Sequence, residues 1–223
     1  SVRALQRVVD LMADAIVSDA ELAEIHRDGF PLRPIVFGGD DVTFVCNGRY
    51  GLPLAVQYLQ AFQEETAKEE AFGGMPAFAC AGIAVVKIHY PFARAYALSE
   101  QLCASAKKMV RSTGEDCSAL DWHFAMSGIA GSLEAIRKRE YSVNLGQSTV
   151  GHLHMRPVLL EHSPHSWKTW SVFISLLRAF SDEDGEWYDR RNKVKALRDA
   201  LRAGPGAVQE FLRSYRITKL PKA

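Results

Sequence analysis

Residues 34–46 read PIVFGGDDVTFVC and set four turn-forming residues between two runs of strand-forming ones. Because glycine adopts the positive φ that a tight hairpin needs, the stretch predicts a β-hairpin with strands over 35–37 and 42–46. Gly and Asp are ordinary turn residues, so a plain turn is one interpretation. The other is a cation site, because the carboxylates of Asp40 and Asp41 repel each other unless a cation lies between them. Oxygen ligands at an exposed tip suit Mg²⁺ or Mn²⁺, and the flanking Gly38 and Gly39 would let a phosphate chain approach closely.

Apolar periodicity on either side of the hairpin predicts the order of the remaining elements. Helical spacing predicts helices over 2–16, 52–70 and 92–110, with 19–26 continuing or restarting the first. Segment 77–90 is apolar on both alternating faces, which is typical of a strand in the middle of a sheet. A last strand is predicted over 120–124, with Asp121 and His123 facing solvent between core residues. The order is therefore α-β-β-α-β-α-β.

With one strand in front, this order becomes the ferredoxin-like β-α-β-β-α-β plan. The sequence therefore predicts an α+β fold, a ferredoxin-like palm whose first strand lies upstream in a longer parent protein. We expect this domain to cover 1–139 and a mostly helical region to cover 140–223. In the latter, a strand is predicted over 151–160 and helices over 167–180, 193–202 and 207–214.

Composition limits the classes of partner. The chain has 27 basic and 26 acidic residues, so no bulk charge indicates nucleic acid or an acidic membrane. Its four cysteines form no CxxC pair, which favours a reducing, cytoplasmic setting. No apolar run approaches the roughly 20 residues of a membrane span, so no membrane association is expected.

Two features of the C-terminal region leave alternatives open. His152, His154, His162 and His165 fall close together and could supply metal ligands, or they could be exposed or capping histidines. Between 188 and 223 there are ten basic and three acidic residues. Such a stretch could contact RNA or an acidic protein partner, or it could be a solvated helical face.

Three segments at their mutual spacing carry a family resemblance that covers about residues 1–126. The segments RPIVFGGDDVTFVC, CAGIAVVKIHYPFARAYALSEQLCASAKK and SALDWHF resemble the second palm domain of the large polymerase-like subunit of type III CRISPR effector complexes. They are similar, more closely still, to stand-alone bacterial proteins that carry the same palm.

The resemblance implies a metal-dependent nucleotidyltransferase or cyclase that converts ATP, or a related nucleoside triphosphate, into a cyclic oligonucleotide signal in antiviral defence. It implies that Asp40 and Asp41 are catalytic and hold Mg²⁺ or Mn²⁺. It also implies that Gly38 and Gly39 contact the nucleotide, as does Lys107, the counterpart of the family lysine that reaches the phosphates. Lys108 is a neighbour that could substitute.

Two further expectations come with the family. Its palms work face to face, so a second palm domain or a second copy of the chain is an expected partner. The family draws a further metal-binding carboxylate from the first strand, which would lie upstream. The alternative is therefore a non-catalytic nucleotide-binding or structural palm module of a larger effector protein.

Overall fold

The computed structural model describes residues 1–125, 132–146, 149–218 and 220–221. The chain divides into two compact units, Ser1–Ser127 (the N-terminal unit) and Gly128–Ala223 (the C-terminal unit). Helices and short strands occur in both units, so the fold is α+β, as predicted. Among the described residues, no helix is both long and apolar enough to cross a membrane.

The N-terminal unit follows the element order predicted from the sequence. Its elements are α1 (Val2–Ser18), α2 (Ala20–Ile25), β1 (Leu32–Gly38), β2 (Asp41–Cys46), α3 (Gly51–Ala67), a 3₁₀ turn (Glu70–Phe72), β3 (Cys80–Val86), α4 (Phe92–Thr113) and β4 (Ala119–Ala125). The first helix ends and restarts at Asp19, whose carboxylate accepts hydrogen bonds from the first amides of α2. Helices α1 and α3 pack together through buried Val8, Met12 and Leu54.

The four strands of the N-terminal unit form two separate pairs. Strands β1 and β2 form an antiparallel hairpin, and β3 and β4 run parallel, joined by α4 as a β-α-β unit. Strand β3 is an edge strand, and all seven of its residues are only partly buried. The prediction that this segment lies in the middle of a sheet is therefore wrong. Its apolar residues gain burial from α4 on one face and contact α3, but its outer edge has no neighbouring strand among the described residues.

Strand β4 takes the buried place instead. Asp121 is fully buried and His123 is 4% exposed, whereas Phe124 is 49% exposed. The prediction that Asp121 and His123 face solvent is therefore wrong. Alternation predicts which residues share a face of a strand, but it does not predict whether both faces are covered. The Oδ1 atom of Asp121 accepts a hydrogen bond from the Trp122 amide at 2.8 Å, which is one polar partner for this buried carboxylate.

The C-terminal unit contains more strand than the sequence predicts. Its elements are α5 (Leu133–Glu140), β5 (Ser142–Gly146), β6 (Thr149–His152), β7 (Val158–Leu159), α6 (Trp170–Ala179), α7 (Arg191–Ala203) and α8 (Pro205–Ser214). Strands β5 and β6 pair antiparallel. The predicted strand over 151–160 is interrupted after His152, because β6 ends there and the chain resumes strand geometry only at Val158. The last two helices match the predicted ones, and their core is a cluster around Trp187, Leu197 and Phe211.

Candidate functional site

The Gly-Gly-Asp-Asp turn is a two-residue hairpin loop. Gly38 pairs with Asp41 across the ladder, so Gly39 and Asp40 are the two central residues. Gly39 has φ of 59°, the left-handed value expected at the first central position of a type II′ turn. Glycine is the residue that adopts this conformation without strain. The local sequence therefore fixes the turn, and the turn fixes both aspartates at its tip.

The backbone at this tip is open on its outer side. A Cβ atom built on Gly38 or Gly39 would have no other atom within 4 Å, so neither glycine is required by packing. Asp40 and Asp41 are exposed, and neither forms an ion pair within the described part of the chain. The hydroxyl of Ser1 donates a hydrogen bond to the Gly39 carbonyl at 2.8 Å. The turn therefore combines an accessible backbone with two uncompensated carboxylates.

Helix α4 lies against β3 at unusually short range because of Gly82. A Cβ atom at this position would lie 2.0 Å from the Ser99 carbonyl oxygen and 2.4 Å from the Cys103 amide nitrogen. Any larger side chain at this position would thus clash with the backbone of α4. The glycine of the AGIA segment is therefore what sets the position of α4, and α4 carries the lysines that the sequence analysis singled out.

One face of α4 approaches the start of β2. The pKa of the Tyr96 phenol is raised chiefly by the negative charge of Glu100, then by burial, by hydrogen bonding to Glu100 and by the negative charge of Asp41, whereas a polar contact with Thr43 lowers it. Asp41 and Thr43 belong to β2, and Tyr96 and Glu100 to α4. The charge of the second aspartate of the turn therefore acts on a side chain of this helix.

Further along the same face of α4, the charges of Asp41 and Lys107 both affect the pKa of Cys103. Burial raises the pKa of its thiol, the positive charge of Lys107 lowers it, and Asp41 raises it. Burial raises the pKa of Cys80 to about 11, and the positive charge of Lys107 partly opposes this shift. The Cys103 thiol donates a hydrogen bond to the Cys80 carbonyl at 3.3 Å. The opposite charges of Asp41 and Lys107 therefore both act on Cys103.

The two predicted lysines face different directions. Lys107 follows Cys103 by four residues and so lies on the same face of α4, whereas Lys108 is rotated by about 100° from it. Both side chains are exposed. Lys107 thus shares a face of α4 with Cys103, and Lys108 lies beside that face.

Sequence reasoning missed the other members of this face. Tyr96, Glu100, Cys103 and Lys107 are spaced i, i+4, i+7 and i+11, which is the repeat of one helical stripe. Counting back from the lysine at this spacing would have identified them. What the sequence could not show is which strands meet the stripe. The Cys103 thiol bonds to β3, whereas the charge of Asp41 in β2 acts on Tyr96 and Cys103.

The donor set of the turn fits a magnesium-type ion. Mg²⁺ is typically held by one or two carboxylates, while waters and substrate phosphates complete its shell. Asp40 and Asp41 supply two adjacent exposed carboxylates. In the ranges that the structure describes, there is no group of three or more His, Cys, Asp or Glu side chains arranged to hold a metal.

The histidines of the C-terminal unit are placed separately. The rings of His152 and His154 are 5.9 Å apart, and Nδ1 of His154 is 2.6 Å from the Arg156 carbonyl oxygen. Burial lowers the pKa of His154, and the hydrogen bond to the Arg156 carbonyl opposes this shift. The positive charges of Arg137, Lys168 and Arg156 lower the pKa further. His162 and His165 are exposed. His154 therefore packs against the Tyr141 ring, whose centroid is 6.1 Å away, whereas His152 is exposed.

Comparison with models of known protein families gives no match for this chain. Comparison with curated protein sequences gives no significant match either.

Proposed function

We propose that the N-terminal unit is a metal-dependent nucleotidyltransferase or cyclase palm that uses ATP or a related nucleoside triphosphate to make a cyclic oligonucleotide. The supporting observation is the open two-glycine turn with two exposed carboxylates, together with the opposite charges of Asp41 and Lys107 that both act on Cys103 of α4. A pair of carboxylates and a separate cation match the needs of a triphosphate with its metal ion.

Each residue has a distinct task in this proposal. Asp40 and Asp41 hold Mg²⁺ or Mn²⁺, which when bound neutralises charge on the α-phosphate and activates the attacking hydroxyl. Gly38 and Gly39 leave room for the phosphate chain at the backbone. Lys107 contacts phosphate oxygens from the side of α4, and Lys108, next to it in sequence, could substitute for it. The task of the chain's own residues is to position the phosphates and stabilise their charge.

A ferredoxin-like palm is the finer fold that goes with this function. It would require one more strand to join the free edge of the β1–β2 hairpin to the outer edge of β3. The hairpin supports this, because Ile35, Val36 and Phe37 are each more than 40% exposed. A two-stranded ribbon is marginally stable alone, so a further strand or a second palm against it would stabilise the site.

Isothermal titration of the chain with ATP tests the proposal, with Mg²⁺, with Mn²⁺ and with chelator. We expect binding only with metal, and loss of binding in Asp40→Asn/Asp41→Asn. The matched control Asp14→Asn/Asp28→Asn removes two exposed carboxylates of the same unit elsewhere and should bind as the parent does. Absence of metal-dependent ATP binding, or unchanged binding in the double variant at the turn, would refute the proposal.

A second candidate is a nucleotide-binding module without turnover. It is favoured by the donor count, since the turn offers two carboxylates and the described residues contain no three-membered metal-binding group. Thin-layer analysis of products from labelled ATP separates the two candidates. A cyclic product that disappears in Asp40→Asn/Asp41→Asn supports the enzyme. Metal-dependent binding without any product supports the binding module.

A further inference from the structure

The two units carry opposite formal charges. Residues 1–127 contain 11 basic and 16 acidic side chains, whereas residues 128–223 contain 16 basic and 10 acidic ones. A near-neutral total therefore conceals a strong asymmetry, which is a feature of proteins with a localised polyanion-binding surface. The excess positive charge of the C-terminal unit is concentrated from α7 onward.

Helix α7 arranges part of this charge in a line. Arg191, Lys195, Arg198 and Arg202 follow one another at i, i+4, i+7 and i+11, which keeps all four within an arc of about 60° on the helix. All four side chains are exposed. We call these four residues the α7 stripe.

The opposite face of α7 is fixed in the core of the unit. Leu197 is 4% exposed and packs in a cluster with Trp187 and Phe211, and Val194 and Leu201 lie against the same cluster. The helix therefore cannot rotate to bury the α7 stripe without exposing its apolar face. The stripe is held towards solvent by packing on the other side.

Few acidic side chains offset the α7 stripe. Asp199 is the one acidic residue of α7, and it lies 3.4 Å from Arg198 as an exposed pair. An exposed pair of this kind contributes little, so it leaves the surface strongly positive. The acidic residues of the preceding segment are concentrated at 182–189, before the helix begins.

The shape of the stripe favours one kind of polyanion. Its four cations extend over about 16 Å in a nearly straight line, and a nucleic-acid strand presents its phosphates as a regular linear repeat of negative charge. An acidic protein surface presents carboxylates without such a regular repeat. A single narrow line of cations also follows one strand and does not span a duplex.

We propose that the α7 stripe binds the phosphate backbone of a single-stranded nucleic acid, without reading its sequence. This surface belongs to the C-terminal unit and is independent of the proposed nucleotide chemistry of the N-terminal unit. Phosphate contacts of this kind position a strand and carry no base specificity.

Fluorescence anisotropy with the full chain and a labelled RNA of about 15 nucleotides tests this. Four neutralised phosphates predict a slope of log affinity against log salt of about −2.8, equivalent to about a 50-fold loss between 50 and 200 mM NaCl. Arg191→Gln/Lys195→Gln and Arg198→Gln/Arg202→Gln should each reduce that loss to about sevenfold. The control Lys138→Gln/Arg139→Gln removes two exposed cations from α5 and should keep the parent slope.

Three further arms complete the test. Equal affinity for DNA of the same length assigns the contact to phosphate, whereas stronger binding of RNA adds a contact to the ribose hydroxyl; both support the proposal. Binding of a poly-glutamate peptide of equal charge as tightly as RNA would show a general acidic-protein surface and overturn it. Absence of RNA binding at 50 mM NaCl, or equal slopes in both α7 variants and the control, would also overturn it.

Because glutamine is a good helix former, circular dichroism should show both variants folded. If one variant is unfolded, the other decides.

Discussion

Replacing Gly82 with alanine should displace α4 from β3 and loosen the proposed site at the same time. The added Cβ atom would lie 2.0 Å from the Ser99 carbonyl oxygen and 2.4 Å from the Cys103 amide nitrogen. An ordinary van der Waals contact begins at 3.4 Å, so the helix must retreat by about 1.4 Å. Both clashing atoms belong to the backbone of α4, so no side-chain rotation relieves the contact.

The cost follows from what that retreat separates. Leu98, Leu102 and Ala106 are the buried residues of α4. A gap of 0.5–1 Å already forfeits roughly a quarter to a half of a dispersion contact. Burial of a leucine contributes about 1.5–3 kcal/mol, so losing a quarter to a half of it for two leucines costs about 1–3 kcal/mol. Overpacking strain of about 1–3 kcal/mol brings the expected loss to about 2–6 kcal/mol.

Urea unfolding followed by hydrogen-exchange mass spectrometry measures this loss within the N-terminal unit. Peptides from α4 and β3 should lose protection at lower urea in Gly82→Ala, and the α7 peptides should be unchanged. Gly29→Ala is the matched control, because a Cβ atom there meets nothing within 4 Å and the change should stay within about 0.5 kcal/mol. If Gly82→Ala is as stable as Gly29→Ala, the inferred close packing of α4 on β3 is incorrect.

Three other outcomes are expected. Lys107→Gln should weaken metal-dependent ATP binding about tenfold and Lys108→Gln by less than threefold, because only Lys107 shares a face of α4 with Cys103. Titration calorimetry measures both affinities, and equal effects of the two substitutions would argue against a phosphate contact by Lys107. The C-terminal unit should lose stability as pH falls below about 6.5, because His154 then binds a proton in the unfolded chain but less readily in the folded one, where its pKa is lowered. Urea unfolding at pH 7.5 and 5.5 should show a smaller pH effect in His154→Gln than in the parent. An equal effect in both would contradict the assignment. Burial raises the pKa of Cys46 and of Cys80 to about 11. At pH 8 both thiols should therefore react with iodoacetamide about tenfold more slowly than in the urea-unfolded chain, and mass spectrometry measures these rates. Rapid labelling of the folded chain would refute the burial of the two thiols.

The placement of the aspartates has a consequence for how the site would work. Asp41 raises the pKa of both Tyr96 and Cys103 on α4, so a change of charge at the turn should act on these two groups. A bound cation would reverse the sign of the local field at the turn. Tyr96 should then ionise at lower pH, because the negative charge of Asp41 would be compensated. Ultraviolet titration of the phenol, with and without Mg²⁺, reports this directly.

The hairpin and the helices of this protein were determined by local sequence. Gly39 allows the positive φ of the turn, Asp19 caps α2, and the apolar repeat of α7 marks its buried face. Each of these depends on residues a few positions apart, so the sequence alone carries the information. The two aspartates were found in this way, because they are part of the turn itself.

Tertiary structure alone decided which strand is buried and what faces the turn. The apolar segment of β3 looks like the centre of a sheet but lies at an edge, whereas β4, with Asp121 and His123, is buried. Burial depends on neighbours distant in sequence, and periodicity does not identify them. The same holds for α4, whose close packing on β3 depends on Gly82, where an added Cβ atom would lie 2.0 Å from the Ser99 carbonyl oxygen. The sequence thus determined the chemical groups, and long-range packing determined which of them meet.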